Sequence, residues 1–401
     1  MNASQRLIIV SEHYAPSTAA TGQLIDDLSC ALANLSIQTV VITATPGPSV
    51  HNGIPVIRTS ILSVGQLRKT GILFKAVTGS AFFVETLIWL FLHSSSRDQL
   101  LLVSNPPFIG IIGILAKYLK RVQYTFLFQD LFPHSAQLAG ILPSQGPLIA
   151  IFNLLQKLVC YESKSTVVLS EDMREKVRRS YAAKAAINVI HNWAPLNHNI
   201  SKRSPANPYS SQRSTNINLC LLYSGNFGRL HDILIVLEAA RLTTQHSIHY
   251  HFVGGGSKSR LIHDYITKLS MSNVFQEGYV SRADLSLSLQ DCHLAVVSLL
   301  SGAEHIAAPS KLYGILSVGR PVLLIANKNS KIAQSVIAHK FGFVVSPGDP
   351  ESLARLLIYL STNAQILKTY GENARNYYLK NFGLEKSAKL YIDALGLSNK
   401  S

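Results

Sequence analysis

The residues best placed to do chemistry lie in the segment APSKLYGILSVGRPVLL, residues 308–324. Ser310 and Lys311 open an apolar stretch that stops at a Gly-Arg-Pro sequence and leads directly into a predicted strand. Ser310 is expected to cap this helix. The free N–H groups of its first turn, the positive end of its dipole and the Lys311 ammonium would together suit a diphosphate. Pro-Ser and Gly-x-Pro are also ordinary helix start and stop signals, so this segment alone leaves both interpretations open.

Two further strand-to-helix turns occur upstream in the same half of the chain. Gly225, Asn226 and Gly228 follow one short apolar strand, and Gly254 and Gly255 follow another. Glycine ends strands in many α/β proteins, so each turn alone is weak evidence. Ligands bind α/β sheets at the carboxyl ends of their strands, however, and three such turns in one half predict a ligand site there.

Alternating strands and helices along the whole chain predict an α/β fold with parallel sheets wound on both faces. The strands of the first half are predicted at residues 6–11, 39–43, 100–104, 124–128, 166–169 and 186–190. With 401 residues, of which 47% are apolar, the chain can form two domains of ordinary size. We place the first domain at 1–195, a polar, proline-containing linker at 196–216 and the second domain at 217–383.

The segments YSGNFG, FVGGG, FQEGYVSRADL and APSKLYGILSVGRPVL occur in this order, and the carboxyl half thereby resembles the nucleotide-binding half of glycosyltransferase family 4. In the amino half, LIIVSEHYAPSTAATGQLIDDLSCALA is similar to the family's first strand, glycine loop and helix. LFQDLFPHSAQLAGIL resembles a segment of bacterial exopolysaccharide and O-antigen transferases of the colanic-acid type. The resemblance covers nearly the whole chain. It implies the GT-B fold, with two Rossmann-like domains facing a cleft and a last helix at 384–395 that crosses back, so that 384–401 pack on the first domain.

The resemblance also implies a nucleotide-diphosphate sugar as donor, bound by the second domain. Two sets of residues carry over, namely Lys311, Arg229, Ser310, Gly225, Asn226 and Gly228 for the diphosphate, and His231, Gly254, Gly255 and Gly314 for the nucleotide or sugar. Arg229 could equally be a solvated loop arginine. The chain has no Asp-x-Asp motif and no His/Asp/Glu cluster with metal spacing near the glycine turns, so no metal or other cofactor is expected.

The chain departs from the family at its pair of glutamates eight positions apart. Ile306 and Gly314 stand in their places, which puts the usual ribose contact in doubt. Glu304 and His305 lie close by but out of frame, and either could approach the donor sugar. We take both as candidate catalytic residues.

The first domain is expected to bind the acceptor. Asp130 follows a predicted strand, where a carboxylate could accept the proton of an acceptor hydroxyl or orient it, although a helix-capping aspartate is the alternative. Further candidates for the acceptor cleft are His13, Tyr14, Thr21 and Gly22.

Three functions remain open from the sequence. The first is a retaining glycosyltransferase that adds a sugar to a lipid-linked glycan at the cytoplasmic face of the membrane in cell-surface polysaccharide biosynthesis. The second is a nucleotide-sugar epimerase of the same architecture, which would need paired carboxylates that we cannot place. The third is a non-catalytic binder of nucleotide sugars, suggested by the missing glutamate pair. Fold analogy does not choose among them.

Charge and hydropathy suggest a second partner, the anionic inner surface of the plasma membrane. The net charge is +15, and no nucleic-acid-binding module is present. Residues 72–92 form a long apolar stretch that contains Lys75 and Glu85. It could be a buried helix, an interfacial helix or, less favourably because of its charges, a membrane span. Four widely spaced cysteines and the absence of a signal peptide suggest a cytoplasmic protein that is peripheral on the membrane.

Overall fold

The computed structural model describes residues 5–59, 72–181, 186–194 and 218–397. The chain divides into two compact units. The first comprises Met1–Asn192, Ile306–Ala308 and Leu384–Ser401, and the second comprises Trp193–His305 and Pro309–Gly383. The predicted linker at 196–216 lies outside the described residues.

The first unit is built on an eight-stranded sheet with the order β3-β4-β2-β1-β5-β6-β7-β8, parallel except for the β3–β4 pair. The strands are β1 Arg6–Val10, β2 Gln38–Thr43, β3 Val50–His51, β4 Ile54–Arg58, β5 Gln99–Val103, β6 Gln123–Leu127, β7 Ser165–Val168 and β8 Ala186–Val189. The central strands β1, β5, β6 and β7 are buried along almost their whole length. This explains their continuous apolar sequences, because helices cover both faces of a parallel sheet.

The helices described between these strands are α1 Ala20–Asn34, α2 Ile72–His93, α3 Gly110–Lys120, α4 His134–Leu138, α5 Pro147–Glu162 and α6 Glu171–Tyr181. None of the helices in the described ranges is long and apolar enough to cross a membrane. In α2, Phe82 and Leu90 are buried, whereas Ile88 and Phe91 are more than half exposed. The helix therefore packs one apolar face against the unit and presents another outward, so it is not a fully buried core helix.

The second unit contains a six-stranded, fully parallel sheet with the order β11-β10-β9-β12-β13-β14. Its strands are β9 Leu219–Asn226, β10 Ile248–Gly255, β11 Val274–Glu277, β12 Leu294–Ser298, β13 Val322–Ile325 and β14 Gly342–Val345. Its helices are α7 Leu234–Leu242, α8 Ser259–Lys268, α9 Leu285–Gln290, α10 Lys311–Ser317, α11 Lys331–Ala338, α12 Pro350–Thr362 and α13 Ala364–Asn381. The core lies between the sheet and these helices and contains the large side chains of Tyr223, Phe227 and Phe252.

The last helix, α14 Leu384–Leu395, returns to the first unit. The Ser165 hydroxyl donates a hydrogen bond to the carbonyl of Ala394 over 2.8 Å, and the Ser387 hydroxyl donates to the carbonyl of His191 over 2.9 Å. Tyr391 is fully buried. The two parallel sheets and this returning helix confirm the predicted fold class.

Candidate functional site

The candidate site lies at the carboxyl edge of the second sheet and centres on Lys311, the first residue of α10. Its Nζ is buried and lies 3.8 Å from the centroid of the Tyr223 ring in β9. Among the residues that the structure describes, this Nζ has no hydrogen-bond partner. A Cβ on Gly225, at the end of β9, would lie 3.9 Å from Lys311 Cε. The structure therefore brings together the first glycine turn and the Pro-Ser-Lys turn, which stand about ninety residues apart in the sequence.

The ammonium of Lys311 is poorly stabilised in this position. Burial lowers its pKa from 10.5 to about 7. The ring face of Tyr223 offers partial compensation through a cation–π interaction, but no carboxylate within the described ranges balances the charge. An anionic ligand would supply the missing counter-charge, so the site favours a phosphate over a neutral ligand.

His231 lies beside Lys311 as a neutral polar group. Its Nδ1 is 3.0 Å from the carbonyl oxygen of Asn226. The backbone N of Gly228 lies 3.3 Å from the same Nδ1. Burial, and then the positive charges of Lys311 and Lys258, lower the pKa of His231 from 6.5 to about 3. His231 thus fixes the conformation of the glycine turn and adds no positive charge of its own.

Lys258 is a functional candidate that the sequence reasoning missed. Its ammonium donates a hydrogen bond to the carbonyl of His231, and burial lowers its pKa. It stands two positions after the GGG run. A lysine so soon after a glycine turn could have indicated this residue from the sequence. Lys258 thus places a second amine at this edge of the sheet, and the carboxylate of Asp232 favours its charged form.

The glycines of the site serve two different purposes. A Cβ on Gly254 would collide with the backbone of Gly225, and a Cβ on Gly255 would come within 2.9 Å of the Tyr279 ring. These two residues are therefore required for close packing of β9, β10 and the following loop. Gly225 instead has a positive φ of +108°, which favours glycine, and the atom nearest to its Cβ position is Lys311 Cε at 3.9 Å.

The prediction that Ser310 caps α10 is wrong. Its backbone is already helical, with φ −56° and ψ −30°, and its side chain makes no capping hydrogen bond. An N-cap residue must have extended backbone angles for its hydroxyl to reach the first N–H groups. Since α10 is also only seven residues long, the Lys311 ammonium and not the helix end provides the main attraction for an anion.

Glu304 is the second unpartnered charged group near this edge. It lies in a short 3-10 turn, Ala303–His305, between β12 and α10, and is only 2% exposed. Neither of its carboxylate oxygens has a hydrogen-bond partner in the part of the chain that the structure describes. A buried carboxylate without donors is costly, and the hydroxyls of a ligand would relieve that cost.

The remaining candidates of the second unit contribute less clearly. Arg229 and Asn226 are exposed, and His305 is half-buried. Gly314 lies one turn after Lys311 and is buried, and a Cβ there would already lie 3.3 Å from the side chain of Leu289. A carboxylate-bearing residue would not fit at Gly314 without movement of Leu289.

Asp130 lies in the first unit, three positions after the last residue of β6. It forms an isolated antiparallel bridge with Ala307, and the N–H of Leu131 donates to the carbonyl of Ile306 over 2.9 Å. Burial raises the pKa of Asp130, although a hydrogen bond from the Ser135 hydroxyl opposes this shift. A carboxyl with a raised pKa is suited to accepting a proton.

The candidates near α1 divide into core and accessible residues. Tyr14 is fully buried, and its hydroxyl lies 2.8 Å from the hydroxyl of Ser29. Gly22 is buried as well, with Ser17 3.1 Å from where its Cβ would stand. Both residues therefore pack inside the unit, and their proposed role in acceptor binding stays a prediction. His13 and Thr21 are half-buried and stay candidates.

Metal ligation has no obvious place in the described part of the chain. No group of three or more His, Cys, Asp or Glu side chains there is arranged to hold a metal ion.

Comparison with known proteins agrees with this geometry. Residues 212–377 match the family model "Glycosyl transferases group 1", so the second unit is a glycosyltransferase group 1 domain. The chain is 22% identical over 358 residues to the probable glycosyltransferase WbjE of Pseudomonas aeruginosa, with 88% of each chain covered. It is 28% identical over 176 residues to the putative colanic acid biosynthesis glycosyl transferase WcaI of Escherichia coli K12, covering 43% of this chain and 42% of the relative.

Solved structures resemble the whole chain. Sucrose-phosphate synthase from Thermosynechococcus elongatus superposes with a TM-score of 0.77 at 17% identity and covers 98% of this chain and 100% of its own. Anabaena Alr3699/HepE in complex with UDP-glucose superposes with a TM-score of 0.71 at 14% identity, and it covers 98% of this chain and 99% of its own. These likenesses establish the fold as GT-B, with two Rossmann-like units.

Proposed function

We propose that the protein is a retaining glycosyltransferase that moves a sugar from a nucleotide-diphosphate sugar to a lipid-linked glycan acceptor in cell-surface polysaccharide biosynthesis. The observation that carries this proposal is the buried, unpartnered Lys311 ammonium at the strand ends of a glycosyltransferase group 1 domain. Two buried charged groups make no hydrogen bond within the described residues, namely the ammonium of Lys311 and the carboxylate of Glu304. They match a ligand that has both phosphates and hydroxyls.

In the reaction, the bond between the anomeric carbon and the phosphate oxygen breaks, and its electron pair stays with the departing nucleoside diphosphate. Lys311 stabilises the negative charge that develops there, with Arg229 and Lys258 as supporting cations. The acceptor hydroxyl oxygen bonds to the anomeric carbon and gives up its proton. We assign Asp130 as the carboxylate that accepts or orients this hydroxyl.

Glu304 would bind the sugar. Its two oxygens can accept hydrogen bonds from adjacent sugar hydroxyls, and this would partly replace the contacts of the family's glutamate pair, which is missing here. His305, its neighbour, is a further candidate for contact with the sugar. Retention of the anomeric configuration follows only from the resemblance to family 4.

The substrate class is supported by the relatives. WcaI is named for colanic acid biosynthesis, and HepE has been solved with UDP-glucose. We therefore propose a uridine diphosphate sugar as the first donor to test. A polysaccharide intermediate carried on a lipid would place the protein at the cytoplasmic face of the plasma membrane.

Product analysis with a panel of nucleotide sugars and a lipid-linked acceptor tests the proposal. Transfer of the sugar with retained configuration is the expected result. A free epimer of the donor sugar would instead identify an epimerase, and binding of the donor without any turnover would identify a non-catalytic binder.

A further inference from the structure

A continuous apolar surface lies on the outer side of three helices of the first unit. Large apolar side chains there are between 45% and 67% exposed: Val77, Val84, Ile88, Phe91 and Leu92 on α2, Tyr118 and Leu119 on α3, and Leu148, Ile151, Leu154, Leu158 and Tyr161 on α5. We call this surface the outer helical face. Monomeric proteins rarely expose so many large apolar side chains together, and such a surface usually marks an interaction site.

Contacts between the helices show that the three sets belong to one surface. Lys120 Nζ of α3 lies 5.2 Å from the centroid of the Phe91 ring of α2. Lys117 Nζ and the Tyr118 hydroxyl of α3 donate hydrogen bonds to the carboxylate of Glu162 on α5, at 2.8 and 3.0 Å. The outer helical face therefore runs from α2 across α3 to α5.

The pattern along α5 is not that of an ordinary surface helix. Its exposed apolar residues recur every three or four positions from Leu148 to Tyr161 and so form one stripe, while Ile149, Val159 and Cys160 are buried on the other side. A helix at a water-exposed surface carries charged residues opposite its buried face. The neighbouring α6 does so, with the exposed residues Arg174, Arg178 and Arg179.

The outer helical face carries more cations than anions, although α2 contributes the half-buried carboxylate of Glu85. Lys120 is half-buried, and Arg121 and Lys157 are exposed. Glu162 is already paired with Lys117, and this ion pair lowers the pKa of the Glu162 carboxyl. Two copies of such a face would bring their cations together, which disfavours a symmetric dimer. Apolar side chains bordered by cations match an anionic lipid surface, where lysine stems lie among the headgroups.

We propose that the outer helical face is a docking surface for an anionic phospholipid bilayer, with α2, α3 and α5 lying together in the interface. The inference rests on the proposed function only in that a lipid-linked acceptor gives the enzyme a reason to be there. It replaces a single interfacial helix by a three-helix platform and adds α5, whose sequence did not suggest a membrane role.

Co-sedimentation with vesicles tests the proposal. The protein should bind vesicles of phosphatidylcholine with phosphatidylglycerol and should bind much less to vesicles of phosphatidylcholine alone. The triple variant Leu148→Ser, Ile151→Ser, Leu154→Ser should lower the partition coefficient on the anionic vesicles by roughly tenfold or more, because apolar insertion contributes most of the affinity. Lys120→Glu with Lys157→Glu should abolish the preference for anionic lipid.

A matched control separates this surface from exposed apolar residues in general. Leu242, Leu261 and Leu269 of the second unit are also exposed, at 41%, 38% and 48%. Their replacement by serine should leave vesicle binding unchanged. Addition of UDP should raise the melting temperature of every variant equally, which shows that each is folded and tests the donor site separately from the docking surface.

Three results would overturn the proposal. Wild-type protein that stays off anionic vesicles would do so, as would an α5 triple variant that binds them as well as wild type. The third is a concentration-dependent dimer, formed without lipid and abolished by the α5 triple variant, because the face would then belong to a second copy of the chain.

Discussion

At the residue scale, the central feature is a lysine whose charged form is disfavoured by burial. Lys311 combines a buried Nζ, no hydrogen-bond partner and a pKa lowered to about 7. Ion pairs at protein surfaces contribute little, whereas an unpaired buried charge interacts strongly with any anion that reaches it. The chain thus holds a residue at a cost in stability that a bound diphosphate would offset.

We predict that Lys311→Met removes activity while it stabilises the fold. The fall in kcat/KM should be about 10²- to 10³-fold, as is usual when a group that stabilises developing charge is removed. The unfolded chain, with a lysine pKa near 10.5, binds more protons than the folded chain between pH 7 and 10.5, so wild-type stability rises with pH in this window. The variant lacks this dependence and should melt higher than wild type at pH 7, with the difference narrowing towards pH 10.

Thermal denaturation from pH 6 to 10, together with transfer kinetics, checks this prediction. Lys368→Met, which removes an exposed lysine of α13, serves as the control and should change neither quantity. A Lys311→Met variant that melts lower than wild type at pH 7 would show that the ammonium has a stabilising partner.

At the element scale, the sequence predicted the sheet of the first unit well and its edge poorly. The six predicted strands correspond to β1, β2, β5, β6, β7 and β8, with ends that differ by one residue at most. The pair β3 and β4 was missed because short edge strands carry half-exposed, mixed sequences with a weak apolar signal.

The site shows a similar division. Pro-Ser-Lys correctly placed the start of α10, but capping by Ser310 depends on backbone angles that composition does not encode. Tyr14 follows a strand in the sequence just as Asp130 does, yet its ring points into the core. The position of a residue at a strand end could be predicted, whereas the direction of its side chain required the packing around it.

Gly254 gives an element-scale prediction about the second sheet. Its φ of +142° and the backbone of Gly225 leave no room for a Cβ, so Gly254→Ala should separate β9 from β10 and destabilise the second unit by several kcal/mol. Urea denaturation monitored by circular dichroism would measure this loss. Gly278→Ala is the matched control, because no atom lies within 4 Å of its Cβ position, and it should unfold at nearly the wild-type urea concentration. Equal midpoints for both variants would refute the packing role assigned to Gly254.

At the scale of the whole molecule, the fold class followed from the alternation of strands and helices, and the C-terminal helix followed from the resemblance. The outer helical face could not be predicted from the sequence, because α3 and α5 have the sequences of ordinary apolar helices and only the structure shows which of their residues are exposed. Single-sequence patterns show that a helix has apolar residues but do not show whether a second apolar face is covered.

Metal independence is a prediction for the whole enzyme. With charge stabilisation assigned to Lys311, Arg229 and Lys258, sugar transfer should continue in excess EDTA at nearly the rate seen with added Mg²⁺ or Mn²⁺. The measurement is the initial rate of nucleoside diphosphate release. Complete loss in EDTA, with recovery on adding either ion, would show that carboxylates from distant parts of the chain assemble a metal site.

The most direct test of the account is proton uptake when the donor diphosphate binds. Isothermal titration of UDP at pH 8, in two buffers with different ionisation enthalpies, reports how many protons the complex gains. Lys311 should be mostly neutral in the empty site at that pH and charged beside the diphosphate, so wild type should take up about one proton per UDP, while uridine should cause no uptake. Lys311→Met should bind UDP more weakly and without uptake. A wild-type protein whose UDP enthalpy is the same in both buffers would contradict the assignment of Lys311 to the diphosphate.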